Sequence, residues 1–350
     1  MKRTVELLPL FKQFIKDSET GKRLKKNGSK ITKGTIANYR YVLHNLIEFS
    51  NTCDFELRLA DAHKLNKREL VSEKNYWKKF YHKFSNFMYK KGCYDNYVGA
   101  NMKQIRTFFN YLKNEKHYNT GDFHKLFYVR KEEVDILVLS PEQLKFLIHD
   151  QQFENRLTNS EKRIKDIFVF GCTTGLRFSD IFLLTNKNFE VQNNDWYLKV
   201  KSKKTKTYTT IKLPNYAVAI YKRYKSRSSK ITLFAPITLF NFNKTLKSIG
   251  EKALFTTPIE LSRERLGKSY KTTKSTAKAS QRFCDKMSSH MMRRTAITTM
   301  LILGMPEHLV RNISGHSSNS SSFYRYVHFA QSYVDKELEK VHRKLEVYEV

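Results

Sequence analysis

Cysteine is scarce in this chain of 350 residues, which has only Cys53, Cys93, Cys172 and Cys284. The four are widely separated and form neither a CxxC pair nor a Cys/His cluster with zinc-like spacing. A zinc ribbon and a disulfide scaffold are therefore excluded, and reduced thiols in a cytoplasmic protein are expected. Long apolar runs are missing as well. No stretch approaches the roughly 18 apolar residues of a membrane span. The start, Met1, Lys2 and Arg3 followed by Val5 to Phe11, lacks a signal-peptide core. No internal repeat is apparent.

Acidic residues are the third shortage. Against 65 Lys and Arg stand 33 Asp and Glu, a formal net charge of +32, far more than solubility requires. Residues 1–125 carry 26 basic and 12 acidic residues, net +14, and the remainder carries +18, so the excess is not confined to a tail. Such a chain has a polyanionic partner. With no membrane anchor in the sequence, nucleic acid is favoured over a membrane surface, and a DNA-bound, nucleoid-associated location follows.

What is present suits a folded protein. At 40% hydrophobic residues the chain can bury a sizeable core, and its length suggests two domains. Gly21 to Gly34 reads as a basic loop. Ile36, Tyr39, Leu43, Leu46 and Ile47 then recur at helical spacing, as do Met102, Ile105, Phe108, Phe109 and Leu112. The first 125 residues thus read as a small helical bundle. From Asn119 to Val134 the periodicity breaks, and 126–134 is expected to be a linker. Ser140-Pro141-Glu142-Gln143 is a strong helix start, with Ser as cap, Pro at the first helical position and Gln three residues after the cap. It opens a second domain over 135–350. Within it, Trp196, Leu198 and Val200 alternate with polar residues, as do Thr209, Ile211 and Leu213, which predicts a β-hairpin with a Lys/Thr-rich turn. The basic stretch Ser262 to Lys286 is expected to be a long loop, and the rest helical.

Four clusters hold chemically capable residues: Thr174-Gly175-Leu176-Arg177-Phe178-Ser179-Asp180, the Lys-Thr turn at 204–207, His290-Met291-Met292-Arg293, and Gly315-His316 followed by Tyr324 and Tyr326. Each has an ordinary explanation alone. Arg177 and Asp180, one turn apart, can be a surface ion pair, although Asp180 could also orient the guanidinium for bidentate work. His290 and Arg293 can be a solvated helix face, or can meet one phosphate from that face. His316 can cap a loop, and the tyrosines can be packing aromatics.

Together, in this order, the clusters resemble the tyrosine recombinase (phage integrase) signature: an Arg in a TGLR-type motif, a hairpin Lys, an HxxR helix, a GH pair and a Tyr nucleophile. Tyr326 lies ten residues after His316. The commoner spacing is one shorter, and that position is Arg325, so a one-residue insertion is implied. Both Lys204 and Lys206 precede a Thr; the distance to the proline closing the next strand favours Lys206. Tyr326 is preferred to Tyr324 because Phe323, Tyr324 and Val327 are expected to pack, with 326 on a different face. The segment before the HxxR helix and the string Phe323-Tyr324-Arg325-Tyr326-Val327 are most similar to integrases of the Bacteroidetes mobile-element type.

The resemblance implies a mainly α protein. Residues 1–125 would be an N-terminal helical core-binding (SAM-like) bundle, joined through 126–134 to a mixed, mostly α catalytic domain with a small antiparallel β-sheet at 135–350. It leaves no room for the additional arm-binding domain many integrases carry. Arg177 and Arg293 would clamp the scissile phosphate, and Asp180 would hold Arg177. Lys206 would protonate the leaving 5′-oxygen, His290 would assist proton transfer at the tyrosine, and His316 would hydrogen-bond the phosphate. Tyr326 would form a 3′-phosphotyrosine, with no metal, nucleotide or other cofactor. Implied partners are a double-stranded recombination site, further copies of the chain in a tetramer on DNA, and an accessory DNA-bending protein, with no membrane. A type IB topoisomerase-like enzyme and a DNA-binding regulator without activity are the alternatives.

Overall fold

Helical periodicity in the first stretch produces four helices in the computed structural model: α1 (Leu7–Thr20), α2 (Lys33–Cys53), α3 (Lys67–Lys90) and α4 (Asp95–Glu115). A short strand β1 (Thr4–Glu6) pairs antiparallel with β2 (Arg58–Ala60). The structure describes residues 4–203, 207–225, 231–272, 281–317 and 320–346. By backbone contacts the chain divides into one unit of Met1–Val134 with Leu261–Thr272, and a second of Asp135–Glu260 with Thr273–Val350. It is mostly α-helical, with small antiparallel sheets.

In the first unit Ile36, Tyr39 and Leu46 are buried, as are Met102, Ile105, Phe108, Phe109 and Leu112, while Leu43 is partly covered. Val42 and Phe49 extend the same face of α2. The core is dense in aromatics: Phe11, Phe14, Phe49, Trp77, Phe80, Phe84, Phe108 and Phe109 are fully buried. Each such burial is worth roughly 1.5–3 kcal/mol. The 126–134 stretch, expected as a linker, gives Phe127 to this core, against Trp77, Phe80 and Phe109.

The second unit opens as the Ser140 motif requires. Ser140 Oγ accepts from the Gln143 amide at 3.2 Å and Gln143 Oε1 accepts from the Ser140 amide at 3.0 Å, starting α5 (Pro141–His149). After α6 (Gln151–Asn155) comes α7 (Asn159–Thr174), on which Ile164, Ile167, Phe168, Val169, Phe170 and Cys172 are all buried. A helix apolar around this much of its circumference is a central one. It ends at Gly175, whose left-handed φ of 65° suits a residue without Cβ. The short α8 (Phe178–Ile181) follows.

The predicted hairpin is present, with a third strand beside it. β3 (Phe189–Gln192), β4 (Asp195–Lys201) and β5 (Tyr208–Lys212) form an antiparallel sheet in that order. Leu198, Val200 and Ile211 point into the core, with Leu198 opposite Ile211. Next come α9 (Asn215–Tyr224), α10 (Leu239–Lys252), the strands β6 (Leu261–Arg265) and β7 (Lys268–Thr272), and then α11 (Ser289–Ile302), α12 (Glu307–Ser314) and α13 (Ser321–Glu346).

The strands β6 and β7 correct the expected loop at 262–286. They form an antiparallel hairpin turned at Leu266-Gly267, both at positive φ. Its charges hid it, because side chains that alternate between strand faces are polar on both. The hairpin belongs to the first unit through specific acceptors there. Asp95, 1% exposed, takes the Leu266 and Gly267 amides at 2.9 Å each. Glu132 receives Arg263 through Nε (3.2 Å) and Nη2 (2.6 Å). Arg263 and Arg265 lie 4.2 and 4.6 Å from the Tyr94 ring centroid.

Candidate active site

Three helix ends in the second unit build the site. Arg177 lies just past the C-terminal cap of α7 and caps α8, the first two turns of α11 carry His290 and then Arg293, and His316 follows the C-terminal cap of α12. Gly171 lets α11 approach α7: a Cβ there would stand 2.5 Å from Met292 Sδ and 3.0 Å from Met292 Cβ.

Arg293 is gripped by main chain. Its Nη1 donates to the Gly175 carbonyl at 2.9 Å and its Nη2 to the Ser314 carbonyl. Both acceptors sit at helix C-termini, where unpaired carbonyls and the helix dipole favour a cation. Burial lowers the Arg293 pKa to about 10, assisted by the charge of Arg177, while Tyr326 and Asp180 oppose the shift. The guanidinium stays charged at neutral pH, and two like charges held this close favour an anion between or beside them.

Arg177 is oriented through a residue that sequence did not single out. Its Nη1 donates to Ser202 Oγ at 2.9 Å, and Ser202 Oγ donates to Asp180 Oδ2 at 3.1 Å. The Lys203 amide donates to the other oxygen, Asp180 Oδ1, at 3.2 Å. Asp180 is 3% exposed, so a surface ion pair does not describe it. Nothing in the sequence distinguishes Ser202 from other serines beside a Lys-rich turn. Lys204 and Lys206, the two candidates of that turn, lie outside the described residues.

His316 lies with Nδ1 2.7 Å from Ser314 Oγ and its ring nitrogens 3.4 and 3.5 Å from Arg293 Nη2. Burial first, then the charges of Arg293, Arg177 and Arg311, lower its pKa to about 4. The unliganded imidazole is therefore neutral at pH 7. His290 is exposed, one turn before Arg293.

The tyrosines separate, though not as expected. Phe323 is fully buried against Ile297 and Val310, and Tyr326 and Val327 pack on the same cluster. Positions 323, 326 and 327 share a helix face by their spacing. Tyr324 is the one turned outward, 57% exposed, with the Arg311 guanidinium 4.7 Å from its ring. The Tyr326 ring is 6.1 Å from that of His316. The fold thus gathers Arg177, Asp180, Arg293, His316 and Tyr326. Among the described residues, no group of three or more His, Cys, Asp or Glu side chains is placed to hold a metal ion, and no helix is long and apolar enough to cross a membrane.

Residues 138–332 match the model of the phage integrase family. The chain belongs to that family. No curated protein matches it in sequence. Among solved structures it is similar in fold to the XerH site-specific recombinase bound to palindromic difH substrate, a post-cleavage complex (TM-score 0.60, 15% identity, covering 97% of this chain and 96% of that one). It is similar also to the Tn1549 transposon integrase in complex with transposon right end DNA (TM-score 0.56, 15% identity, 92% and 94%). A lambda integrase dimer bound to a COC′ core site gives a TM-score of 0.58 at 12% identity, covering 93% and 78%. The family match spans all the gathered residues, from Arg177 to Tyr326.

Proposed function

We propose that this integrase-family protein is a site-specific recombinase that cuts and rejoins duplex DNA through a 3′-phosphotyrosine. The gathering of two arginines, a neutral histidine and one inward tyrosine carries the reading. It is a receptor for a phosphodiester with a nucleophile at its edge, in a chain of net charge +32.

The Tyr326 oxygen attacks the scissile phosphorus, and the bond to the 5′-oxygen breaks. The tyrosine proton passes to His290. The departing 5′-oxygen takes a proton from Lys206, with Lys204 as the alternative donor. Arg177 and Arg293 neutralise the charge that grows on the non-bridging oxygens, the part a metal plays in other phosphoryl-transfer enzymes. The phosphotyrosine bond retains the energy of the broken diester, so a 5′-hydroxyl from a partner duplex reverses the step without a nucleotide.

In this reading the first unit, residues 1–125 above all, is a SAM-like core-binding bundle and 135–350 is the catalytic domain. Recombination proceeds in a tetramer on DNA, in the nucleoid, with an accessory DNA-bending protein where the site requires one. The Phe323 to Val327 string supports kinship with mobile-element integrases of the Bacteroidetes type.

The test is a nicked site from which the short 5′-hydroxyl fragment diffuses away after cleavage. A covalent protein-DNA adduct is expected without metal or nucleotide, lost in Tyr326→Phe with DNA binding kept. No adduct on an authentic site overturns the enzymatic reading; an adduct on Tyr324 overturns the nucleophile assignment alone.

A further inference from the structure

Ser202 stands at the junction of strand β4 and the lysine turn, 8% exposed. Its amide donates to the Thr207 carbonyl at 2.9 Å, which fixes the residue across the turn. Its hydroxyl carries one hydrogen, directed at Asp180 Oδ2, and accepts from Arg177 Nη1 with a lone pair. The second Asp180 oxygen is engaged by the Lys203 amide. The carboxylate therefore acts on Arg177 through a polarised hydroxyl.

That arrangement has a chemical consequence. A bidentate carboxylate would occupy two of the five guanidinium N–H groups and neutralise the charge directly. A hydroxyl takes one N–H and no charge. The guanidinium is held in orientation with the Asp180 charge set one hydroxyl further back, and four of its five N–H groups are left by this contact.

We propose that Ser202 is a positioning residue for Arg177, a role that rests on the recombinase reading above. Asp180 polarises the hydroxyl, and the hydroxyl aims the guanidinium at the scissile phosphate. The hydroxyl touches no reacting atom, so its loss slows cleavage only through Arg177.

Single-turnover adduct formation on a site with a 5′-bridging phosphorothiolate tests this. Its thiolate leaves without a proton, which makes cleavage independent of the turn's lysines and fast enough to follow in weakened variants. Ser202→Ala is expected to slow cleavage roughly 10- to 100-fold on both the ordinary and the modified site, the loss of one hydrogen bond to a charged group. Binding of a single site should stay within about 2-fold, since one hydroxyl is removed from a pocket whose other cations are intact. In an Arg177→Ala background the same substitution should cost less than about 2-fold, because the group it serves is gone. Equal losses in both backgrounds would show an action independent of Arg177 and overturn the proposal. A loss confined to the ordinary site would assign Ser202 to the lysine turn, also overturning it, as would an unimpaired variant. Failure of the unaltered protein to form any adduct would instead count against the recombinase reading.

Discussion

The Ser314 hydroxyl lies 2.7 Å from Nδ1 of His316 and also donates to the Val310 carbonyl at 2.6 Å. A hydroxyl whose one hydrogen goes to that carbonyl accepts from an Nδ1–H, the tautomer that leaves Nε2 to accept from Arg293 Nη2, 3.5 Å away. On the proposed reading, an Nε2 that carries a proton is the donor to the scissile phosphate.

The first prediction concerns pH. The His316 pKa falls from 6.5 to about 4 on folding, so the unfolded chain binds the proton more tightly. Stability from this residue is full above pH 6.5 and is lost as pH falls toward 4. The unfolding free energy of the unaltered protein minus that of His316→Asn should shrink as pH falls through this window. His124, lowered likewise to about 4 by burial, retains its own slope in both proteins and cancels in the difference. A difference that stays flat from pH 7 to 4.5 would mean that His316 is not held neutral by the fold.

The second prediction separates the two lysines. Lys206→Ala should cut cleavage of an ordinary site by about 100-fold or more, within the usual range for a proton donor. The bridging phosphorothiolate should restore it, while Lys204→Ala changes either rate little. Rescue of Lys204→Ala in place of Lys206→Ala would exchange the assignments.

Docking of the β6–β7 hairpin is the third. Asp95→Ala removes the acceptor of two backbone amides and of the Tyr89 hydroxyl, which is 2.5 Å away. Hydrogen exchange at Leu266 and Gly267 should accelerate by about 10-fold or more, and the protein should lose roughly 1–3 kcal/mol. Unchanged protection of these amides would count against an Asp95-held turn.

A fourth prediction tests the approach of α11 to α7. Gly171→Ala places a methyl group against Met292, and overpacking of this kind destabilises by roughly 1–3 kcal/mol. Because α11 also carries Arg293, cleavage should fall more than DNA binding does. A neutral effect on both stability and cleavage would show that the helices can part freely.

Much of this was legible in the chain. The apolar rows of α2 and α4, the Ser140 cap and the alternation of β4 and β5 are local patterns, and local geometry is what periodicity and capping encode. Four clusters in a fixed order pointed to the family, and the residues matched to its model include them all. Other features depended on partners far away in sequence. The β6–β7 hairpin reads as a charged loop until Asp95 and Glu132, more than a hundred residues earlier, supply its acceptors. Ser202 acquires meaning only when Arg177 and Asp180 arrive beside it. Spacing alone set Tyr324 on the packing face and Tyr326 off it, whereas helix rotation against Ile297 and Val310 packs Tyr326 and turns it toward His316. Residue types and their order thus set the chemistry available to this protein. Tertiary packing decided which groups meet, because burial, charge proximity and hydrogen-bond direction exist only once distant segments share a core.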